Sequence, residues 1–184
     1  MFSGMGGNNR RGWFVRFPEG PRERVKNFQD GKPKMQEYRV KTLIGVGNPL
    51  GRDDGVGVYV ARALAGVSGW RTIPAGLALE NALGLVERER PELLVIVDAA
   101  DMGLPPGSFR RLPLAEADGM LGSSHALPLG FLAGIIQRAV REVVLVGVQP
   151  ADLSLGEGLS PEVKKGADEL ISLLRAGKLE FIPG

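Results

Sequence analysis

The sequence predicts an α/β protein: a three-layer α/β/α sandwich with a mostly parallel central sheet. Two observations carry that expectation. Apolar runs of strand length alternate with stretches of helical periodicity from about residue 40 to the end of the chain. The clearest strand, ELLVIVD at 92–98, is apolar without interruption until its last residue, as expected of a strand covered on both faces by helices.

Taken in order, residues 40–46 read as a buried strand with no charge after Lys41. A glycine-rich turn follows, then a helix over 54–64 in which Val56, Val60, Ala63 and Leu64 share a face. Asp53 stands where an N-cap belongs. Residues 70–74 form a short strand, 79–89 a helix ended by Pro91, and 92–98 the central strand. Residues 108–112 read as an edge strand exposing Arg110 and Arg111. A helix over 129–140, a buried strand over 142–148 and an amphipathic helix over 161–174 complete the pattern, with Pro161 after Ser160 in the order favoured at a helix start. No internal repeat and no second domain is evident. The organisation is an extension, 1–39, followed by one domain, 40–184.

Composition narrows the classes. The 184 residues contain no cysteine, which excludes disulfides and thiolate metal sites and suits a reducing compartment. No apolar run approaches the roughly 20 residues of a membrane span, and the N-terminus lacks a signal-peptide core, so the expected location is cytoplasmic. The net charge is +2, but the first forty residues hold nine Lys/Arg against four Asp/Glu. The basicity belongs to that segment, rich in Gly, Pro, Asn and Arg without periodicity, and reads as a poorly ordered, solvated leader rather than a nucleic-acid contact.

In open α/β sheets, sites form at the carboxyl ends of parallel strands. The first strand ends into Gly47, Asn48 and the pair Asp53-Asp54; the third ends at Asp98, with Asp101 one short turn on; and the only histidine, His125, lies on the loop SSHALPLG before the next main helix. Two adjacent carboxylates at one helix start repel each other, so a second role is expected for one of them, and cap geometry leaves Asp54 free to point elsewhere. A carboxylate ending an apolar strand is costly to desolvate unless paired or metal-bound, which singles out Asp98. Asp101, in a Gly/Pro-rich loop, reads as turn chemistry. Asp, Asp and His form a three-ligand set for a divalent transition metal with open positions.

Other chemistries find no support. After Gly45 and Gly47 the third position of a dinucleotide fingerprint is Leu50. No phosphate-loop GK[ST], no GxSxG elbow and no HExxH occurs. A nucleotide-binding module is therefore disfavoured.

Four blocks, GVGNPLGRDDGVG, VIVDAADMGLPPG, SSHALPL and VLVGVQP, occur in order over about residues 41–175. Together they resemble the nickel-iron hydrogenase maturation endopeptidases, with the second and third blocks most similar to the branch that processes hydrogenase-3-type large subunits. The resemblance implies an α/β/α fold of the phosphorylase/hydrolase-like kind. It also implies a metal-dependent, aspartic-type endopeptidase that removes a C-terminal extension from the hydrogenase large-subunit precursor after nickel insertion. Its metal-contacting positions fall on Asp54, Asp98 and His125. The resemblance implies that the nickel is supplied by the precursor, with no organic cofactor, and leaves the catalytic group open between Asp54 and Asp98. Gly47, Asn48, Asp53, Glu80 and Asp101 are expected to support the cleft. A monomer is expected. The extension of about 40 residues departs from the family, whose members begin close to the first strand. The second hypothesis is a non-proteolytic, nickel-binding hydrogenase accessory protein on the same fold.

Overall fold

The computed structural model describes residues 15–16, 28–29, 32–33, 41–113, 136 and 138–184. Four parallel strands form its centre: β1 (Lys41–Val46), β2 (Trp70–Gly76), β3 (Leu93–Ala99) and β5 (Glu142–Val148), in the spatial order β2-β1-β3-β5. The antiparallel β4 (Phe109–Leu112) pairs with the upper half of β5, Leu112 opposite Leu145 and Phe109 opposite Val148. Two residues of the segment expected to precede the domain, Val15–Arg16, pair antiparallel with the lower half of that same edge, at Val143 and Glu142.

Alternation along the strands explains the layers. On β3, Leu94 and Ile96 face one side, where helix α2 (Leu79–Glu89) brings Leu79, Leu83 and Val86. Val95 and Val97 face the other, against α1 (Val56–Ala63) and α3 (Pro161–Arg175), which bring Val56, Val60, Val163, Leu170 and Leu174. All seven residues of β3 are buried, as its unbroken apolar run predicts. The expected three-layer sandwich with a mostly parallel sheet is the architecture found. The helix expected over 129–140 lies largely outside the described residues, although Ile136, Arg138 and Ala139 are helical.

Two expectations need correction. Helix α1 does not begin at 54: residues Arg52–Gly55 form a 3-10 turn, with the α-helix starting at Val56. Arg111 is not exposed, because the C-terminal segment folds over β4. The main-chain N–H of Arg111 donates to the carbonyl of Pro183 at 2.7 Å, and its guanidinium donates to the carbonyl of Leu179. Burial of this guanidinium pushes its pKa down, against the opposing pull of Glu142 and Glu180.

Candidate functional site

The carboxyl edge of the sheet is assembled around glycines that have no room for a side chain. Gly47, which leaves β1, has φ +116°; a Cβ there would lie 1.7 Å from the main-chain oxygen of Asp54 and 3.5 Å from Oδ1 of Asp98. A residue other than glycine would displace the Asp54 main chain, while meeting Asp98 only at ordinary contact distance. Deeper in, a Cβ on Gly57 would come within 2.1 Å of the Val97 carbonyl oxygen and 2.3 Å of that of Val46. The N-terminus of α1 is thereby seated directly on β1 and β3, and the turn before it is delivered to the end of β3.

The twin aspartates separate. Asp53 is fully buried, and its carboxylate is taken up by the 151–160 loop. Its Oδ2 accepts the main-chain N–H groups of Ala151 and Asp152, both at 2.9 Å, and the hydroxyl of Ser160 at 2.9 Å; its Oδ1 accepts the N–H of Ser160 at 2.7 Å. The expectation that Asp53 caps the following helix is therefore wrong. Gly51 and Gly55 hold the cap positions of the 3-10 turn and of α1, and neither end has a side-chain cap. The donors of the distant 151–160 loop outcompete the local ones because burial makes this carboxylate depend on several N–H and O–H partners at once. These contacts give Asp53 a supporting role, tying the turn that carries Asp54 to the 151–160 loop.

Asp54 is half-buried, and its Oδ2 accepts the main-chain N–H of Asn48 at 2.7 Å. Among the described residues no donor reaches its Oδ1. One oxygen held and the other open is the arrangement that orients a carboxylate towards a ligand. Asn48 supports this turn from its own side chain, whose Oδ1 accepts the N–H of Leu50 at 3.0 Å, while its carbonyl accepts the N–H of Gly51 at 2.9 Å.

Asp98 is 1% exposed, and its Oδ1 accepts the N–H of Ala99 at 2.9 Å. Asp101 makes the expected turn contact, to the N–H of Gly103 at 3.3 Å, and also accepts from Nε2 of Gln149 at 3.3 Å. Gln149 is a residue that the sequence reading missed. Its Oε1 accepts the N–H groups of Met102 and Leu104 at 2.7 and 3.2 Å, clamping the loop after Asp98 to the end of β5. A polar residue at the carboxyl end of a buried strand is the signal that singled out Asp98, and applied to β5 it finds Gln149.

His125 lies outside the described residues, and so does the side chain of Glu80, which stands in the first turn of α2. No group of three or more His, Cys, Asp or Glu close enough to hold a metal occurs among the described residues. Of the three expected ligands the described edge holds two, Asp54 and Asp98, with the main-chain oxygen of Asp54 and Oδ1 of Asp98 both adjoining Gly47.

A family model described as hydrogenase maturation protease matches residues 58–176, a span holding Asp98 and His125 and beginning just after the twin-aspartate turn. The hydrogenase 3 maturation protease of Escherichia coli K12 is 38% identical over 111 residues, 59% of this chain and 71% of that protein. The solution structure of the endopeptidase HycI from Escherichia coli superposes with a TM-score of 0.68 at 30% identity, covering 74% of this chain and 90% of that one. The [NiFe] hydrogenase maturation protease HycI from Thermococcus kodakarensis KOD1 gives 0.65 at 30% identity, covering 76% and 92%. The maturating endopeptidase HybD from Escherichia coli, at 23% identity and a TM-score of 0.62, shares the fold. No helix among the described residues is long and apolar enough to cross a membrane.

Proposed function

Because the chain belongs to the hydrogenase maturation protease family, and is thus an enzyme with protease activity, we propose that it removes the C-terminal extension of a nickel-loaded [NiFe]-hydrogenase large-subunit precursor. In this reading it recognises the substrate's own nickel through Asp54, Asp98 and His125. The observation that supports the reading is that the Asp54 main chain and the Asp98 carboxylate both adjoin Gly47, at the carboxyl edge where open α/β sheets bind their ligands.

The donor set suits the task. Two carboxylates and one imidazole, without thiolate, bind a divalent transition metal while leaving coordination positions to the substrate. The N–H of Asn48 fixes one oxygen of Asp54, and the N–H of Ala99 orients Asp98. Each carboxylate is therefore oriented before a ligand arrives. Peptide hydrolysis adds water across the scissile C–N bond. Substrate nickel beside that bond would polarise its carbonyl, and Asp54 or Asp98 would accept the proton of the attacking water and return it to the leaving amine.

The test is to incubate the full chain with the precursor in nickel-loaded and metal-free forms, followed by intact-mass measurement. The reading predicts shortening of the loaded precursor alone. Equal shortening of both forms overturns nickel recognition, and binding of the loaded precursor without shortening overturns proteolysis.

A further inference from the structure

A second surface adjoins this edge. A cavity of about 540 Å³ opens between the twin-aspartate turn, the outer face of α1 and the loop before α3. Its walls are apolar where Leu50, Val58 and Leu159 meet, and its rim carries Arg52, Arg62 and Lys164 against the single acid Glu157. Arg52 is bound by Asp152 and Lys164 by Asp168, whereas Arg62 has no ion pair among the described residues. The cavity thus combines an apolar floor with an unspent positive charge.

The two segments that border the cavity also expose leucines. Leu50 is 57% exposed, and Leu153 and Leu155, on the loop that also supplies Glu157 and Leu159, are 55% and 87% exposed. These leucines do not hang from slack loops. The two segments are joined by the bridge between Gly51 and Gly156: Arg52 N–H donates to the Gly156 carbonyl at 3.0 Å, and Gly156 N–H donates to that of Leu50 at 2.9 Å. Asp53 fastens the same two segments from beneath. Scattered exposed leucines need no explanation, but three on one rigid, pre-ordered platform mark a contact surface. That surface continues into the site, since Leu50 sits in the turn that Asn48 N–H closes onto Asp54.

We infer that this cavity, together with the exposed leucines of its bordering segments, docks a segment of the large-subunit precursor that carries an apolar side chain beside an acidic one. The inference rests on the function proposed above for its choice of partner. The apolar side chain fills the floor between Leu50, Val58 and Leu159, the acidic one pairs with Arg62, and a chain seated there passes within one turn of Asp54. Recognition of the precursor is then divided between metal at the carboxylates and polypeptide at the cavity.

The test uses Arg62→Glu and Leu50→Ser, both at exposed positions, with Arg88→Glu on α2, across the sheet, as the charge-matched control. Affinity of each full-length variant for the nickel-loaded precursor is measured directly by calorimetry, alongside processing kinetics. Arg62→Glu and Leu50→Ser are expected to weaken binding by roughly tenfold, appearing in processing as a raised KM, with kcat changed by less than about twofold. Added salt is expected to weaken wild-type binding more than that of Arg62→Glu. Arg88→Glu is expected to bind as wild type does. Wild-type affinity in both cavity variants, or equal loss in Arg88→Glu, overturns the docking surface even if processing is normal. If the wild type binds without cleaving, the proteolytic reading fails while the affinity comparison still decides the docking surface, and no wild-type binding at all overturns it.

Discussion

The carboxylate of Asp53 takes both the main-chain N–H and the hydroxyl of Ser160, at 2.7 and 2.9 Å, across 107 residues of chain. Ser160 occupies the N-cap position of α3, yet its hydroxyl is spent on Asp53 rather than on the helix. One buried carboxylate therefore sets where α3 begins and holds the turn that aims its neighbour, Asp54. In the proposed function, folding and chemistry fall to adjacent residues of the same type.

Replacing Asp53 by Ala should damage the fold rather than the chemistry alone. It strands three main-chain N–H groups and a hydroxyl that now share one carboxylate. The expected cost is about 3–5 kcal/mol, from the loss of several charge-assisted hydrogen bonds at a buried position. The melting temperature should fall by roughly 6–20 °C for a domain of this size. Asn should serve little better, because its amide turns a donor towards donors. An unchanged melt in Asp53→Ala would mean that the 151–160 loop is held by other contacts.

Gly47 and Gly66 provide a matched pair. Both have positive φ, +116° and +77°, but a Cβ on Gly66 meets nothing within 4 Å, whereas on Gly47 it overlaps the Asp54 main chain. Gly66→Ala should cost only the backbone penalty, about 1 kcal/mol. Gly47→Ala should cost clearly more and abolish processing by displacing Asp54. Urea denaturation of the two variants checks the difference, and equal midpoints would contradict the wedge role of Gly47.

Much of this architecture is legible in the chain. The buried strands at 92–98 and 142–148 are announced by apolar runs, and α2 spans 79–89 as expected, stopping before Pro91. Asp98 is legible because it ends such a run. The role of Asp53 is not, because its partners lie about a hundred residues away and local capping rules offer a sufficient explanation nearby. The burial of Arg111 is hidden for the same reason: β4 reads as an edge until residues 179–183 cover it.

Gln149→Ala should loosen the loop after Asp98 without unfolding the sheet. Hydrogen exchange should accelerate by about tenfold or more at the amides of Met102 and Leu104, which Gln149 now holds, while Ile96 in β3 keeps its protection. Acceleration at all three positions would show a global loss of stability in place of a local clamp.

The link between α1 and α3 should be acid-sensitive. Asp168 accepts from Lys164 at 2.8 Å and from the Tyr59 hydroxyl at 2.7 Å, and these contacts, Lys164 first, hold its pKa below the usual 3.8. A carboxylate with a depressed folded pKa contributes stability above its unfolded pKa and loses it as the pH falls through the folded value. The same pairing raises the pKa of Lys164, so its share persists below its ordinary 10.5 and is lost as pH rises through the raised value. The stability gap between wild type and Asp168→Asn should be open at neutral pH and close in acid, below the usual Asp range. Denaturation at several pH values checks this; a gap that is constant or widens in acid would contradict the assignment.

The central claim is that Asp54 acts on the substrate while Asp53 holds the frame. Asn at position 54 keeps an acceptor for the N–H of Asn48 and removes the charge. The decisive measurement is the intact mass of a nickel-loaded large-subunit precursor after incubation with Asp54→Asn, on protein whose melt lies within a few degrees of wild type. The account predicts a precursor of unchanged mass; a precursor shortened as fast as by wild type would contradict it.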